Sequence, residues 1–177
     1  MPILKFPEFR QVYKYDCGAS ALQSVLVYYG FDVREKDIMD LAGTSAHDGT
    51  PIKGFKKVAK HYGLKSKVRK LTIENVKKYI AKRVPVIIDL EAWSEKKKVD
   101  WEDDWQDGHY VVAIGYDRDK FYFEDPSSVH RTFLTFVELQ KRWHDQDPKT
   151  KKKLVNIGII ISGRKPDYHP ERAEHMD

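Results

Sequence analysis

The amino-acid sequence predicts an α+β domain in which helices precede an antiparallel sheet. Over roughly the first half of the chain, apolar side chains recur at helical spacing. Beyond it, short runs rich in β-branched and aromatic residues alternate with turn residues. Two of these runs, 110–116 and 121–123, are joined by a short turn that contains Asp117-Arg118-Asp119, which predicts a β-hairpin and therefore antiparallel pairing.

Four helices are predicted before the strands. The first covers residues 17–29, with Asp16 as its candidate N-cap and Gly30 as its terminator. The others are predicted at 35–41, at 51–62 between Pro51 and Gly63, and at 73–83 behind the N-cap Thr72. A turn-rich segment, 42–50, separates the second helix from the third.

The second half of the chain contains the predicted sheet. Residues 85–90 form a short apolar run of the kind found in a sheet centre, and the hairpin follows it. A helix at 136–143 and a strand at 154–161 complete a predicted domain that spans residues 1–162. The polar remainder, 163–177, contains two prolines and is predicted to be a flexible tail.

Composition limits the class of protein. Of the 177 residues, 41% are hydrophobic and 12% aromatic, which is enough for the core of one compact domain. The sequence contains no apolar run of about 18 residues, so we predict no membrane span. The N-terminus lacks the apolar segment of a secretory signal. The single cysteine allows no internal disulfide, which agrees with a reducing compartment, and we expect a cytoplasmic protein.

The net charge of +5 raises the question of nucleic-acid binding. However, 32 Lys and Arg residues are interleaved with 27 Asp and Glu residues. The densest basic runs, 96–98 and 149–153, lie in predicted loops. This pattern is typical of a solvated surface, so we predict no nucleic-acid partner. Binding through charge alone would weaken steeply as salt is added.

The only cysteine, Cys17, stands where a polar turn ends and the first helical pattern begins. The positive end of the helix dipole and the free N–H groups of the first turn favour a thiolate there, which is the reactive form. Gln11, six residues upstream, offers a side-chain N–H donor to the same place. Because a lone cysteine is often only a small buried hydrophobe, its partners decide between the two interpretations.

A cysteine nucleophile needs a base and a third group that orients the base. His109 begins one strand of the predicted hairpin, and Asp125 ends the other. If the turn centres near Arg118, Asp125 lies opposite Val111 and diagonally next to His109. Residues two apart share a face of a strand, so the hairpin predicts imidazole and carboxylate side by side.

In this order along the chain, these residues resemble the C39 peptidases, which are papain-like cysteine proteases best known as domains that process bacteriocin leader peptides. The resemblance spans about residues 11–126. Its motifs are Gln11-x5-Cys17-Gly18, Tyr28-Tyr29-Gly30, Asp48-Gly49-Thr50, Val84-Pro85-Val86-Ile87, Gly108-His109-Tyr110-Val111-Val112 and Asp125-Pro126.

The resemblance implies a role for each of four residues. Cys17 would be the nucleophile, His109 the general base and then acid, and Asp125 the group that holds the imidazole. Gln11 and the backbone N–H of Cys17 would form the oxyanion hole, where each preorganised donor is worth about 3–4 kcal/mol. The implied fold packs the Cys17 helix against the sheet that carries His109 and Asp125.

Two features depart from the best-known family members. Those members precede membrane-spanning and ATP-hydrolysing domains, which the present sequence lacks, so the resemblance implies a free-standing relative. The segment 93–107 is rich in tryptophan and acidic residues, which suits a loop that binds a basic or extended peptide. The alternative is a solvent-exposed loop without a binding role. The candidate substrate-binding residues are Trp93, Trp101, Trp105, Asp16 and Gly108.

We therefore predict a cysteine peptidase that cleaves an extended peptide or protein substrate through a thioester at Cys17. An acyltransferase or amidohydrolase with the same site, and a catalytically silent peptide-binding domain, are the alternatives. We predict no cofactor and no metal, since His47-Asp48 lacks a third ligand at a useful spacing. The sequence leaves the oligomeric state open.

Overall fold

The computed structural model describes residues 3–176 and confirms the predicted α+β class. Its helices are α1 (Cys17–Tyr28), α2 (Glu35–Ala42), α3 (Ile52–His61), α4 (Ile73–Ala81) and α5 (Phe136–Arg142). Its strands are β1 (Lys65–Lys70), β2 (Val86–Glu91), β3 (Gly108–Tyr116), β4 (Lys120–Glu124), β5 (Thr132–Thr135), β6 (His144–Gln146), β7 (Lys153–Val155) and β8 (Ile157–Ser162).

The strands form one large sheet and one small ribbon. Six strands pair in the order β1-β8-β2-β3-β4-β5, and β6 pairs with β7. Every pair is antiparallel. The central strands β2, β3 and β8 are largely buried, because α1 and α4 pack on β3, α2 packs on α1, and α3 packs on α2. This arrangement buries one hydrophobic core between the helices and the sheet.

Two element boundaries differ from the predicted ones because of residues with positive φ. The strand predicted at 154–161 is divided at Asn156, whose φ is +55°. The part before it pairs with β6, and the part after it joins the main sheet. The helix predicted to reach Arg83 ends at Ala81, and Arg83 itself has a φ of +59°. Left-handed residues interrupt regular structure, and apolar periodicity does not reveal them.

The apolar pattern does not predict three of the strands. β1 contains Val68 among polar and cationic residues, and it lies at the sheet edge, where it pairs only with β8. An edge strand is held by its backbone ladder and needs no strict apolar alternation. The strands β5 and β6 have only four and three residues, which is too short for a recognisable period.

The hairpin of β3 and β4 contains a β-bulge. Near the turn, Gly115 pairs with Tyr122, whereas further along, Ala113 pairs with Phe123. Ile114 is therefore an extra residue in β3, and its carbonyl accepts a hydrogen bond from the N–H of Leu4 at 2.8 Å. The bulge shifts the register of every residue pair beyond it by one.

Several residues after position 162 contact the domain. The backbone N–H of Asp167 donates to the carbonyl of Tyr28 at 3.0 Å, and the guanidinium of Arg164 lies 4.6 Å from the ring centre of Phe31. Tyr168 packs on the core. The division into a domain and a tail at residue 162 stays a prediction. Among residues 3–176, no helix has the length and apolar character that crossing a membrane requires.

Candidate active site

Cys17 is the first residue of α1 and is partly exposed. The next residue, Gly18, is buried against the 48–50 turn, where a Cβ would lie only 2.6 Å from the Cβ of Thr50. Glycine is therefore required if the start of α1 is to approach this turn so closely. The thiol consequently sits at the floor of a cleft, next to the free N–H groups of the first helical turn.

Asp16 stands at the N-cap position, but its side chain makes no hydrogen bond to the helix. Its carboxylate instead accepts from the backbone N–H groups of Val12 and Tyr13, at 3.1 Å and 3.0 Å. Asp16 has no exposed surface, so its role is to hold the loop that precedes Cys17 through these buried hydrogen bonds. Asp16 therefore occupies the predicted N-cap position, but the prediction that its side chain caps the helix is wrong. The structure also does not bring Asp16 to the cavity surface as a substrate contact.

Gln11 is held next to the hairpin end that carries Asp125. Its backbone N–H donates to the carbonyl of Pro126 at 3.0 Å, and its side-chain Oε1 accepts from the hydroxyl of Ser127 at 3.0 Å. Its Nε2 donates to the carbonyl of Tyr13 at 2.6 Å. A primary amide has two N–H donors, so one remains after this bond. Gln11 lines the same cavity as Cys17, of about 620 Å³.

His109 and Asp125 are in direct contact. Nε2 of the imidazole lies 2.8 Å from Oδ1 of the carboxylate, and both side chains are buried. Since Nε2 is engaged by Asp125, Nδ1 is the nitrogen left for the thiol, and Cys17 is among the groups that raise the pKa of His109. The structure therefore brings together Cys17, His109, Asp125 and Gln11.

The carboxylate of Asp125 is fixed by three further donors. Oδ1 also accepts from the backbone N–H of Ser127 at 2.9 Å. Oδ2 accepts from the indole Nε1–H of Trp93 and from the hydroxyl of Thr132, both at 3.1 Å. A carboxylate held this firmly keeps the imidazole in one tautomer and one orientation.

The pair has shifted protonation equilibria. Burial favours a neutral imidazole, but the hydrogen bonds and charges of Asp125 and Cys17 outweigh it and raise the pKa of His109 to about 10. Burial also opposes ionisation of Asp125, yet the hydrogen bond from His109 leads the effects that lower its pKa. The site thus favours an imidazolium held between a carboxylate and the thiol.

The three tryptophans of the 93–107 segment lie in different places. Trp93, with a φ of +58°, is 57% exposed and reaches Asp125. Trp101 lines a cavity of about 370 Å³ together with Trp93, and its ring stacks under the guanidinium of Arg142 at 3.9 Å. Trp105 stacks on His144 at 4.2 Å and lines a different cavity. The segment therefore does not form a single aromatic surface.

Gly108 lies where two cavities meet. A Cβ at this position would lie 2.5 Å from the carboxylate oxygens of Asp145, so only glycine allows the approach of β6 to β3. Gly108 and Cys17 line both the 620 Å³ cavity with Gln11 and a second cavity of about 570 Å³. The cleft therefore extends to both sides of the thiol.

A group of buried carboxyls lies beside the site and was not predicted from the sequence. Asp89 and Glu91 lie on β2, and Asp145 lies on β6. Burial, reinforced by the charge of Asp145, raises the pKa of Asp89 and raises that of Glu91 to about 8. Burial also raises the pKa of Asp145, although its contacts with Asp89, Gln146 and Glu91 act in the opposite direction. The available signal was the acidic residues in and after the apolar run Val86-Ile87-Ile88, where a buried strand offers no water to a charge.

Known proteins of one family are similar to this chain. A model of the peptidase C39 family matches residues 5–146. The chain is 28% identical over 134 residues to the pediocin PA-1 transport/processing ATP-binding protein PedD of Pediococcus acidilactici, covering 75% of this chain. It is 27% identical over 128 residues to the lactococcin-G-processing and transport ATP-binding protein LagD of Lactococcus lactis subsp. lactis, covering 72% of this chain. These alignments cover only 17% and 16% of the two relatives.

Solved structures share the fold. The peptidase domain of Streptococcus ComA, a bifunctional ABC transporter of a quorum-sensing pathway, matches with a TM-score of 0.67 at 21% identity, covering 88% of this chain and 97% of that one. A double glycine motif protease from an AMS/PCAT transporter, in complex with its leader peptide, matches with a TM-score of 0.66 at 23% identity, covering 93% and 94%. A C39-like peptidase from Bacillus anthracis matches with a TM-score of 0.63 at 17% identity, covering 93% and 98%. The chain therefore belongs to the peptidase C39 family of papain-like cysteine peptidases.

Proposed function

We propose that the protein hydrolyses peptide bonds with Cys17 as nucleophile, His109 as general base and acid, and Asp125 as the residue that orients His109. The observation that carries the proposal is the 2.8 Å contact of His109 with Asp125, beside a cysteine at the start of α1. A nucleophile, a base and an orienting carboxylate in contact form the minimum set for covalent acyl transfer.

The first half-reaction forms a thioester. The Cys17 thiolate attacks the carbonyl carbon of the scissile bond, and the carbonyl oxygen takes the negative charge. His109, protonated at Nδ1, then donates its proton to the departing amine as the C–N bond breaks. Its pKa of about 10 keeps it charged until that step, since the hydrogen bonds to Asp125 and Cys17 outweigh the effect of burial.

Two donors are available to the developing oxyanion. One is the backbone N–H of Cys17, which is among the unpaired donors of the first turn of α1. The other is the second N–H of the Gln11 amide, whose remaining polar atoms are fixed by Ser127 and Tyr13. A side chain held on both sides is preorganised for a charge that exists only in the transition state.

The second half-reaction releases the acyl group. Water enters the cleft, His109 removes its proton at Nδ1, and the resulting hydroxide attacks the thioester carbonyl. The C–S bond breaks, the carboxylic acid leaves, and Cys17 returns to its starting state. Asp125 stabilises the imidazolium in both half-reactions without taking up a proton.

We propose an extended peptide segment as the substrate. The cleft continues on both sides of Cys17 through cavities of about 570 Å³ and 620 Å³, which suits residues on either side of a scissile bond. The named relatives point to the same substrate class, because two are processing proteins and one structure contains a leader peptide.

A fluorogenic peptide library incubated with wild-type protein and with Cys17→Ala tests this function. We expect cleavage by the wild type, loss of cleavage in the variant, and a mass increase on Cys17 equal to the acyl fragment when the reaction is quenched in acid. A product containing an added amine in place of water would indicate an acyltransferase. Cleavage that persists in Cys17→Ala would contradict the proposed mechanism.

A further inference from the structure

The cavity of about 570 Å³ beside Cys17 has an acidic wall. Among its lining residues are Cys17, Asp89, Gly108, Tyr110 and Asp145, and we call it the acidic cavity. Gln11 and His109 do not line it, so it lies beyond the proposed catalytic centre on one side of the thiol. The proposed hydrolysis uses none of its carboxyls.

Asp89 is the unexplained group of this cavity. It is 2% exposed, and neither of its carboxylate oxygens has a hydrogen-bond donor among residues 3–176. The neighbouring polar side chain is Asp145, which is itself a carboxyl. Burial and the nearby Asp145 together raise the pKa of Asp89. A buried carboxyl without a donor is costly, and native structures retain one mainly where it has a function.

Two further carboxyls lie beside Asp89 and have few hydrogen-bond donors of their own. Oδ1 of Asp145 accepts only the backbone N–H of its neighbour Gln146, at 2.6 Å, among the bonds of the described residues. Oε2 of Glu91 accepts the N–H of Asp107 at 2.6 Å, whereas its Oε1 has no donor among those residues. Three acidic side chains thus lie close together with few donors between them.

The lysines that line this cavity do not neutralise its acidic wall. Lys149 pairs with Asp48 at 3.1 Å, and Lys14 pairs with Glu95 at 3.5 Å. These two side chains are 66% and 94% exposed, so solvent screens them strongly. The third lining lysine, Lys151, is also exposed. Within residues 3–176, no lysine or arginine forms an ion pair with Asp89 or Asp145.

We propose that the acidic cavity binds a protonated nitrogen group of the peptide substrate, either a lysine or arginine side chain or a free amino terminus, through Asp89 and Asp145. An ammonium or guanidinium supplies the donors that these oxygens lack, in short charge-assisted hydrogen bonds. Because Cys17 lines the same cavity, the cation belongs to a residue near the scissile bond. The inference rests on the proposed function in taking a peptide as the ligand.

An organic cation fits this cavity better than a metal ion. No group of three or more His, Cys, Asp and Glu side chains among the described residues has an arrangement suited to a metal. An ammonium or guanidinium needs only one or two carboxylates, which Asp89 and Asp145 provide. The 570 Å³ volume also accommodates a long side chain.

Three pairs of peptidyl chloromethyl ketones, which alkylate the thiol without turnover, test the proposal. The first two pairs are acetyl-Gly-Arg against acetyl-Gly-citrulline, and acetyl-Arg-Gly against acetyl-citrulline-Gly. Citrulline keeps the shape of arginine without its charge. The third pair is Gly-Gly with a free or an acetylated amino terminus. It tests whether the bound cation is the amino terminus of the peptide. Alkylation rates are measured by intact-protein mass spectrometry.

We expect the wild type to react with the cationic member of at least one pair about tenfold faster, the scale of one buried charge contact. Asp89→Asn, and independently Asp145→Asn, should reduce that ratio to less than about twofold. The control is Glu124→Gln, because Glu124 is also buried with an oxygen that has no donor among the described residues, but does not line the acidic cavity. It should keep the wild-type ratio.

Equal rates in all three pairs would overturn the proposal, and so would a preference that survives in both aspartate variants. If Cys17 reacts with none of the reagents, the proposed function fails but the inference is still decided by calorimetry. Tighter binding of acetyl-Gly-Arg-Gly-amide than of its citrulline analogue, lost in Asp89→Asn, would support it. Equal affinities would contradict it.

Discussion

His109 and Asp125 lie 2.8 Å apart because β3 contains one extra residue, Ile114. The register set by the hairpin turn, continued without a bulge, would place Asp125 opposite Val112. Its carboxylate would then point to the sheet face opposite to that of His109. The bulge shifts the register by one residue, so that Glu124 pairs with Val112. The next residue, Asp125, therefore lies opposite Val111. A backbone irregularity thus assembles the proposed catalytic pair.

Asp125→Ala should shift the alkaline limb of the pH dependence of kcat/KM. Asp125 is one of the groups that raise the pKa of His109 to about 10 against the effect of burial. Without it that pKa falls, and the imidazolium is lost at a lower pH. We expect the limb to move from near pH 10 toward neutrality by at least about one unit, with kcat/KM at pH 7 reduced about 100-fold. A limb that stays at the wild-type position would contradict the assigned role.

Gln11→Ala should lower kcat by about 100- to 1,000-fold while changing KM little, because an oxyanion donor acts mainly in the transition state. Steady-state kinetics with the best library peptide would measure both parameters. Ser127→Ala is the matched control, since it removes the partner of Gln11 Oε1 and keeps the amide N–H. A control loss equal to that of Gln11→Ala would assign Gln11 a structural role.

Glu124→Gln should make stability less dependent on pH. Burial dominates the effects that raise the pKa of Glu124 to about 8, so the folded state holds a proton that the unfolded chain loses near its ordinary value of 4.5. Wild-type stability therefore falls as pH rises from about 4.5 to about 8, by up to about 1.4 kcal/mol per pH unit for this group. The amide variant lacks this contribution.

Urea denaturation at several pH values would measure this difference. The free energy of unfolding of Glu124→Gln minus that of the wild type should grow through the interval and level off above pH 8. The Gln side chain can still accept the N–H of Phe9, which Glu124 Oε1 accepts at 3.1 Å. A difference that is constant with pH would show that Glu124 is ionised in the folded protein.

The sequence predicted the helices, the hairpin and four residues that meet at one site, because each has a local signal. Cys17 begins an apolar helix, and His109 and Asp125 occupy opposite ends of a hairpin. The predicted turn centre at Arg118 was only partly right. The tight turn places the N–H of Asp117 against the carbonyl of Lys120, and the Ile114 bulge compensates for the difference of one residue.

Other features depend on contacts between distant segments, which local patterns do not carry. Asp145 approaches Gly108 only because β6 packs against the central strands β2 and β3. Trp93 donates to Asp125, 32 positions away, and Asp16 holds a loop in place of capping its helix. Side-chain partners of this kind are decided by tertiary packing, so composition and periodicity cannot assign them.

The reactivity of Cys17 toward iodoacetamide at pH 6 tests whether this cysteine is an activated nucleophile, because the chain has no second thiol to confuse the result. We expect alkylation far faster than that of a free thiol such as glutathione, and a rate at least about tenfold lower in His109→Ala, where the imidazolium that stabilises the thiolate is absent. A rate in both proteins that follows the ordinary titration of a free thiol would contradict the assignment of Cys17 as an activated nucleophile.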